Sequence, residues 1–197
     1  MTEDSFQKKY LKAEALALVR QSRESGNKSL LETAIEKYRQ YLALNPQDDD
    51  AWSGLGGAYR TKADIGQALD SYSKTFEINP QSTYALVNIM SLRAARDRKE
   101  DREKLQSEAP EAIRLCQQAI KKNTEDFWTW YDLATLQLIQ GNVSEAIGTF
   151  NYALRLTPET AKENFRSVLS NLEFLREHNP SIAGISTVTE MINQHLS

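Results

Sequence analysis

The sequence predicts an all-α protein made of consecutive antiparallel helix hairpins. Two segments repeat one pattern at a constant offset of 78 positions: Trp52 and Trp130, Leu55 and Leu133, Ala68 and Ala146, Tyr72 and Phe150, and Pro80 and Pro158. An offset of 34 positions continues the pattern toward the amino terminus: Ala34 and Ala68, Tyr38 and Tyr72, and Pro46 and Pro80. A fixed offset shared by several residue types means that one structural unit recurs along the chain.

Each unit has the pattern of two helices joined by a short loop. Trp52, Leu55 and Tyr59 lie at i, i+3 and i+7, which places them on one face of a helix. Ala68 and Tyr72 form a similar face on the helix that follows. Only about four residues, 62–65, separate the two patterns, so the helices must be antiparallel. A proline ends each unit because it lacks an amide donor and disfavours helical geometry in the residue before it.

The offset of 78 positions is ten longer than two repeats of 34, so an intermediate third unit with a ten-residue insertion is expected. The charged stretch 96–110 is the predicted insertion, and the helical pattern resumes at Ala112, Cys116 and Ala119. Charges of both signs within this stretch are typical of a solvated, salt-bridged helix or loop.

These motifs resemble the tetratricopeptide repeat, whose pattern W-x2-L-G-x2-Y…A-x3-F…P spans 34 residues. The unit that begins near Asp49 departs from it at Thr75, and the unit that begins near Phe127 departs at Gln137. The resemblance implies a right-handed α-solenoid in a single domain, 1–197. It consists of about four units (12–48, 49–82, 83–126 and 127–160) with capping helices over 160–197.

Two helix starts are predicted from short motifs. Ser29 and Glu32 have the spacing of a capping box for the second helix of the first unit. The acidic run 48–50 lacks the spacing of a calcium loop and instead places negative charge at a helix amino terminus, where the helix dipole favours it.

The segment after Pro158 departs from the repeat pattern. Val168, Leu172 and Leu175 predict one helix, Asn179-Pro180 ends it, and Ile185, Val188 and Ile192 predict a short amphipathic helix. Solenoids need atypical end units that cover the last apolar face, so a capping helix pair is one interpretation. The alternative is that the last helix docks on a partner or on a second copy of the chain.

The composition indicates a soluble cytoplasmic protein. Hydrophobic residues make up 40% and charged residues 26% of the 197 residues. The amino terminus lacks the apolar run of a signal peptide, and no apolar stretch is long enough to span a membrane. The single cysteine, Cys116, rules out an internal disulfide and fits a reducing compartment. The net charge of −3 argues against a nucleic-acid partner.

Sequence motifs for catalysis, cofactors or metals are not found. His178 and His195 are the only histidines, and neither belongs to a zinc motif. Glycines 54, 56 and 57 lie within a helical pattern and are not followed by the Lys-Ser or Lys-Thr of a phosphate-binding loop. Cys116 occupies a core position, where a buried apolar role is expected. The chain is therefore predicted to be a non-enzyme without cofactor or metal.

In the family that the repeats resemble, the first helix of each hairpin lines a concave groove, which would bind a partner. The positions two before and one or five after each core tryptophan, and their equivalents, point to the groove. The predicted partner-binding residues are Asp50, Ser53, Arg60, Tyr84, Val87, Asn88, Ser91, Trp128, Tyr131, Asp132 and Thr135.

Trp128 and Tyr131 stand out among these positions, since large aromatic side chains often anchor interfaces. They could equally pack against a neighbouring repeat. Asn88 could bond the backbone of an extended peptide. One subclass of the family grips acidic carboxyl termini with lysines and arginines; Ser53 and Asp132 occupy matching positions here, so this clamp is not expected.

Three functional hypotheses follow. The first is an adaptor or scaffold that holds a peptide or partner helix in the groove. The second is a regulatory or assembly subunit of an enzyme complex that contacts its partner through the insertion or the C-terminal helix. The third is self-association through the final helix.

Overall fold

The structure is a computed structural model that describes residues 3–196, and within them the side chains outside 3–9, 162–166 and 196. The helices in this part of the chain are α1 (Glu3–Ser25), α2 (Lys28–Leu44), α3 (Asp49–Thr61), α4 (Ile65–Ile78), α5 (Thr83–Arg96), α6 (Lys99–Lys122), α7 (Phe127–Ile139), α8 (Val143–Leu156), a 3-10 helix (Glu159–Asn164), α9 (Phe165–His178) and α10 (Ile185–Leu196). Strands are absent from residues 3–196. The predicted all-α class of helix hairpins is confirmed.

The helices form two compact units, one ending at Ala85 and the other beginning at Leu86. In the first unit, α1 packs on α2 and α3 packs on α4, while α2 and α3 join the two hairpins side by side. In the second unit, α7 and α8 form a hairpin, α6 packs on α7, and α10 packs on both α9 and α8. Each unit thus contains helices that contact their neighbours in the chain.

Four helices begin at an Asn or Asp whose side chain accepts a backbone N–H of the first turn. Asn27 accepts from Ser29 N, Asp48 from Ala51 N, Asp64 from Gln67 N and Asp126 from Trp128 N. Such caps satisfy amide donors that have no partner within the helix. The predicted Ser29–Glu32 capping box is wrong, because the cap is Asn27, two residues before Ser29, and α2 begins at Lys28. The acidic run does lie at the start of α3, as predicted.

The small residue at the centre of each hairpin sets how closely its helices approach. A Cβ added at Gly56 would lie 2.9 Å from the ring of Tyr72, so only glycine fits beneath that ring. Both Tyr72 and its counterpart Phe150 are 0% exposed. Close backbone contact and a buried aromatic ring together form the repeat's core.

The repeat tryptophans are only partly covered by the hairpins. Trp52 and Trp130 are only half-buried. The indole N–H of Trp52 donates to Pro46 O and that of Trp130 to Thr124 O, each at 2.9 Å. The expectation of core tryptophans is met in part, because each side chain is partly buried while its indole N–H bonds to the loop that precedes the hairpin.

The charged insertion is part of a helix. Residues 99–110 extend α6 to 24 residues, and Pro110 is accommodated within it. Asp101, Leu105 and Ala109 are buried along one stripe of this extension, at spacings of four. The insertion therefore lengthens the second helix of the third unit instead of forming a separate loop.

Candidate partner-binding surface

The predicted groove positions of the first unit differ widely in exposure. Tyr84 is 49% exposed, and its ring meets that of Tyr72 edge-on with centroids 6.0 Å apart. Asp50 is exposed and pairs with Lys12 at 2.8 Å. Ser53 is half-buried and shares a hydrogen bond with the Thr75 hydroxyl, whereas Arg60 is buried.

In the second unit, most of the predicted positions are buried. Val87, Asn88, Ser91, Tyr131 and Thr135 are each 3% exposed or less. The hydroxyl of Tyr131 lies 3.1 Å from that of Thr157, and the Thr135 hydroxyl donates to Tyr131 O. Asp132 is half-buried, and only Trp128 is exposed among the predicted positions in this unit.

The chain's own helix α9 contacts the predicted partner-binding face of α5. The side-chain amide of Asn171 donates to the Ser91 hydroxyl at 3.3 Å, in a buried bond. Beyond the end of α9, Asn179 donates to Ala94 O at 2.8 Å. The sequence predicted α9 as a cap but did not place it on α5, because the two bonded side chains are 80 residues apart and no local pattern links them.

Trp128 belongs to an aromatic cluster at the start of α7. Its ring lies 4.9 Å from that of Phe127 and 6.4 Å from that of Tyr131, centroid to centroid. The ring of Tyr131 in turn contacts the core ring of Phe150. Trp128 therefore rests on supporting aromatic rings while 38% of its surface stays exposed.

An ionic network fixes one side of the first unit. Lys12 Nζ donates to both carboxylate oxygens of Asp48 at 2.9 Å, and the Tyr41 hydroxyl donates to Asp48 at 2.6 Å. Burial by itself would lower the pKa of Lys12, but hydrogen bonds to Asp48 and Asp50 outweigh it and raise that pKa. Burial by itself would raise the pKa of Asp48, but the hydrogen bonds from Lys12 and Tyr41 hold it below its usual value.

The first unit also contains a basic position that the sequence prediction missed. Arg23, in the last turn of α1, donates from Nε and Nη2 to the Thr61 hydroxyl at 3.3 and 3.1 Å. The residue as a whole is exposed, and its guanidinium lies beside Thr61 and Gly57. Partial burial of the guanidinium and, after it, the charge of Arg60 lower the pKa of Arg23. Because the first helix is offset from the repeat register, the pattern provided no position for Arg23.

Two features bear on other kinds of site. None of the helices within residues 3–196 combines the length and the apolar character that a membrane span requires. Among the side chains that the structure describes, no three of His, Cys, Asp or Glu come together as a metal site.

Comparison with known proteins identifies the repeats. Sequence models described as tetratricopeptide repeat match residues 13–83 and 115–148. Superkiller complex protein 3 of Mus musculus is 32% identical over 59 residues, which cover 30% of this chain and 4% of that protein. Superkiller protein 3 of Schizosaccharomyces pombe is 27% identical over 139 residues, which cover 70% of this chain and 10% of that protein. The chain thus spans a tenth or less of the length of these relatives.

A solved structure shows the same fold. It is a thermophilic TPR protein of Thermus thermophilus, which superposes with a TM-score of 0.56 at 18% identity. The match covers 93% of this chain and 99% of that one. With two family matches over more than half of its residues and this shared fold, the chain belongs to the tetratricopeptide repeat family.

Proposed function

We propose that this chain is a protein–protein interaction scaffold that binds a peptide or helix of a partner on the groove-lining first helices of its hairpins. Tetratricopeptide repeat proteins are in general non-enzymatic scaffolds, which supports this role and a non-catalytic chain. The net charge of −3 favours a protein partner over nucleic acid. A single cysteine fits the cytoplasm as its location.

The observation that carries the proposal is the exposure of two aromatic side chains at positions that the sequence predicts to line the groove. Tyr84 is 49% and Trp128 is 38% exposed, and each rests against another aromatic ring. Aromatic residues held in this way offer a large contact area with little loss of side-chain entropy, which is typical of interface anchors. Tyr131 is buried and hydrogen-bonded, so its part is to support Trp128.

The test is affinity capture from the native lysate with the full chain and two variants. Tyr84→Ala combined with Trp128→Ala should lose the partner while keeping the wild-type helical content in circular dichroism. Tyr152→Ala is the matched control, since Tyr152 is 40% exposed but lies on α8, the second helix of its hairpin. Equal capture by the wild type and the double variant would contradict the proposal.

A regulatory or assembly subunit that contacts an enzyme through α6 is the second candidate. The observation in its favour is the ordered, charged surface of the α6 extension, where Lys99, Glu100, Arg102, Glu103 and Lys104 are exposed. Exchanging two charges, Glu103→Lys with Lys104→Glu, preserves the net charge and the buried stripe. If this variant loses the partner while the Tyr84→Ala, Trp128→Ala variant still captures it, the result would favour α6 over the groove as the contact surface.

A further inference from the structure

We infer that Arg23 anchors an acidic side chain, aspartate or glutamate, of the bound partner on the first unit. This inference rests on the proposed scaffold function and names the partner chemistry for one part of its surface. The family's carboxyl-terminal clamp is a different arrangement, and Arg23 lies outside the positions from which the sequence predicted the groove.

The guanidinium of Arg23 is held in place by a hydrogen-bonded chain. The Thr61 hydroxyl donates its own hydrogen to Gly57 O at 2.8 Å and accepts two bonds from Arg23. Thr61 thereby orients the guanidinium, whose Nη2 lies beside Gly57, 3.7 Å from where a Cβ of that residue would be. Because an arginine has five N–H donors, the guanidinium retains donors for a planar carboxylate after these two bonds.

The strongest electrostatic influences on Arg23 do not come from an acid. They are the positive charge of Arg60, which lowers the pKa of Arg23, and the hydroxyl groups of Tyr38, Tyr72 and Tyr84. Among the side chains that the structure describes, the ion pairs do not include Arg23, and the nearby acid Asp50 pairs with Lys12. An anion from a partner would relieve the repulsion between the two arginines.

Three other arginines of the chain are held by acids. Arg93 pairs with Glu108, Arg102 with Asp97 and Arg114 with Glu111. These side chains are neutralised within the chain, whereas Arg23 is oriented by a neutral hydroxyl beside a second cation. The exposed ring of Tyr84 belongs to the same unit and offers apolar contact near the charge. This combination fits an acidic residue of a partner segment.

The probe is a five-residue peptide with four glutamates around a tyrosine and with both termini blocked. Blocking removes the terminal carboxylate, so only side-chain carboxylates can bind. Titration into the ¹⁵N-labelled full chain should shift the Arg23 Nε–H and the Gly57 and Thr61 amide resonances. The equivalent glutamine peptide should leave them unmoved.

Variants separate a specific site from general attraction. Arg23→Gln should weaken binding of the glutamate peptide about tenfold, the loss expected for a charge-assisted hydrogen bond. Arg114→Gln is the matched control and should bind like the wild type. Thr61→Val keeps the charge but removes the orienting hydroxyl, and it should give an intermediate affinity. Circular dichroism checks that each variant is folded.

Three results would overturn the inference. These are unchanged peptide affinity in Arg23→Gln, equal shifts with the glutamine peptide, and shifts at Arg23 with inorganic phosphate but none with glutamate. The scaffold proposal has a separate readout. If the wild type captures its partner and Arg23→Gln captures it equally well, the anchor is refuted while the scaffold stands.

Discussion

Ala63 and Gly141 occupy the same place in two hairpin turns, 78 positions apart. Both have left-handed backbone geometry, with φ of 61° at Ala63 and 80° at Gly141. This geometry suits glycine, whereas a Cβ makes it unfavourable. The repeat therefore contains one relaxed and one strained version of the same turn.

Ala63→Gly should stabilise the protein, because it relieves the left-handed strain at little cost in a turn. We expect the free energy of unfolding to rise by about 1 kcal/mol. Gly141→Ala is the reciprocal control and should lower it by a similar amount, since no atom lies within 4 Å of the added Cβ and only the backbone conformation is affected. Urea denaturation followed by circular dichroism measures both. A loss of stability in Ala63→Gly would contradict this explanation.

The thiol of Cys116 should not react with thiol reagents in the folded protein. It is 0% exposed, and burial, followed by the negative charge of Asp132, raises its pKa. The thiol therefore stays protonated at about pH 8, where a free cysteine is already partly thiolate. We expect no reaction with Ellman's reagent until denaturant is added, when the single thiol should react. Rapid reaction of the native chain would place Cys116 in contact with solvent.

At the level of helices, the start of α6 depends on a single buried acid. Asp101 is 1% exposed, and its carboxylate accepts hydrogen bonds from Nε and Nη2 of Arg96 at 2.7 and 2.6 Å. It also accepts the backbone N–H of Arg98, which precedes the helix. The hydrogen bonds from Arg96 lower the pKa of Asp101 despite its burial. One side chain thus joins α5 to the insertion that the sequence left without a defined structure.

Asp101→Asn should lower the free energy of unfolding at neutral pH by about 2 kcal/mol, because the buried guanidinium bonds lose their charged acceptor. A depressed folded pKa stabilises the protein above the unfolded pKa of about 3.9, and this contribution is lost as the pH falls through the folded pKa. The difference between the wild type and the variant should therefore be largest at about pH 7 and shrink as the pH falls below the unfolded pKa of about 3.9. Denaturation across this pH range checks this, and a constant difference would contradict it.

The contact between α9 and α5 should show energetic coupling. Asn171→Ala removes the donor to Ser91 and leaves a buried hydroxyl without that bond. We expect the free energy of unfolding to fall by about 1–2 kcal/mol. Adding Ser91→Ala should cost less than the sum of the two single changes. A double-mutant cycle measures this coupling, and strict additivity would mean that the two side chains do not interact.

At the scale of the molecule, the two units differ in how many of their predicted partner-binding positions are exposed. The first unit combines an ionic network with two exposed positions among those predicted to bind a partner, Asp50 and Tyr84. The second unit covers most of its predicted positions and adds a terminal helix pair. In α10, Ile185, Val188 and Ile192 are at most 2% exposed. The face that the sequence offered for self-association is therefore used within the second unit.

A chain that ends at His178 should be markedly less stable than the full chain. Removing α10 takes away three buried side chains and uncovers α9, and each buried aliphatic side chain contributes about 1.5–3 kcal/mol as an upper estimate. We expect a lower thermal midpoint and, for the intact chain, the mass of a single copy in light scattering. An intact chain of twice that mass that becomes single on truncation would support self-association through α10.

The sequence alone determined the repeat, the hairpins and the family, because these depend on short-range spacing between large, small and helix-breaking residues. It also predicted the two α-helices after Pro158. It misplaced one helix cap, because Asn27, two residues before Ser29, accepts the backbone N–H of the first turn.

Only the tertiary structure decided which groove positions are exposed. The burial of Ser91 depends on Asn171, 80 residues later in the chain, and the orientation of Arg23 depends on Thr61 in a different hairpin. Contacts between distant segments follow from how whole helices pack, and a local pattern contains no information about them. The repeat spacing therefore predicted the hairpins, whereas long-range packing decided which of their side chains remain exposed.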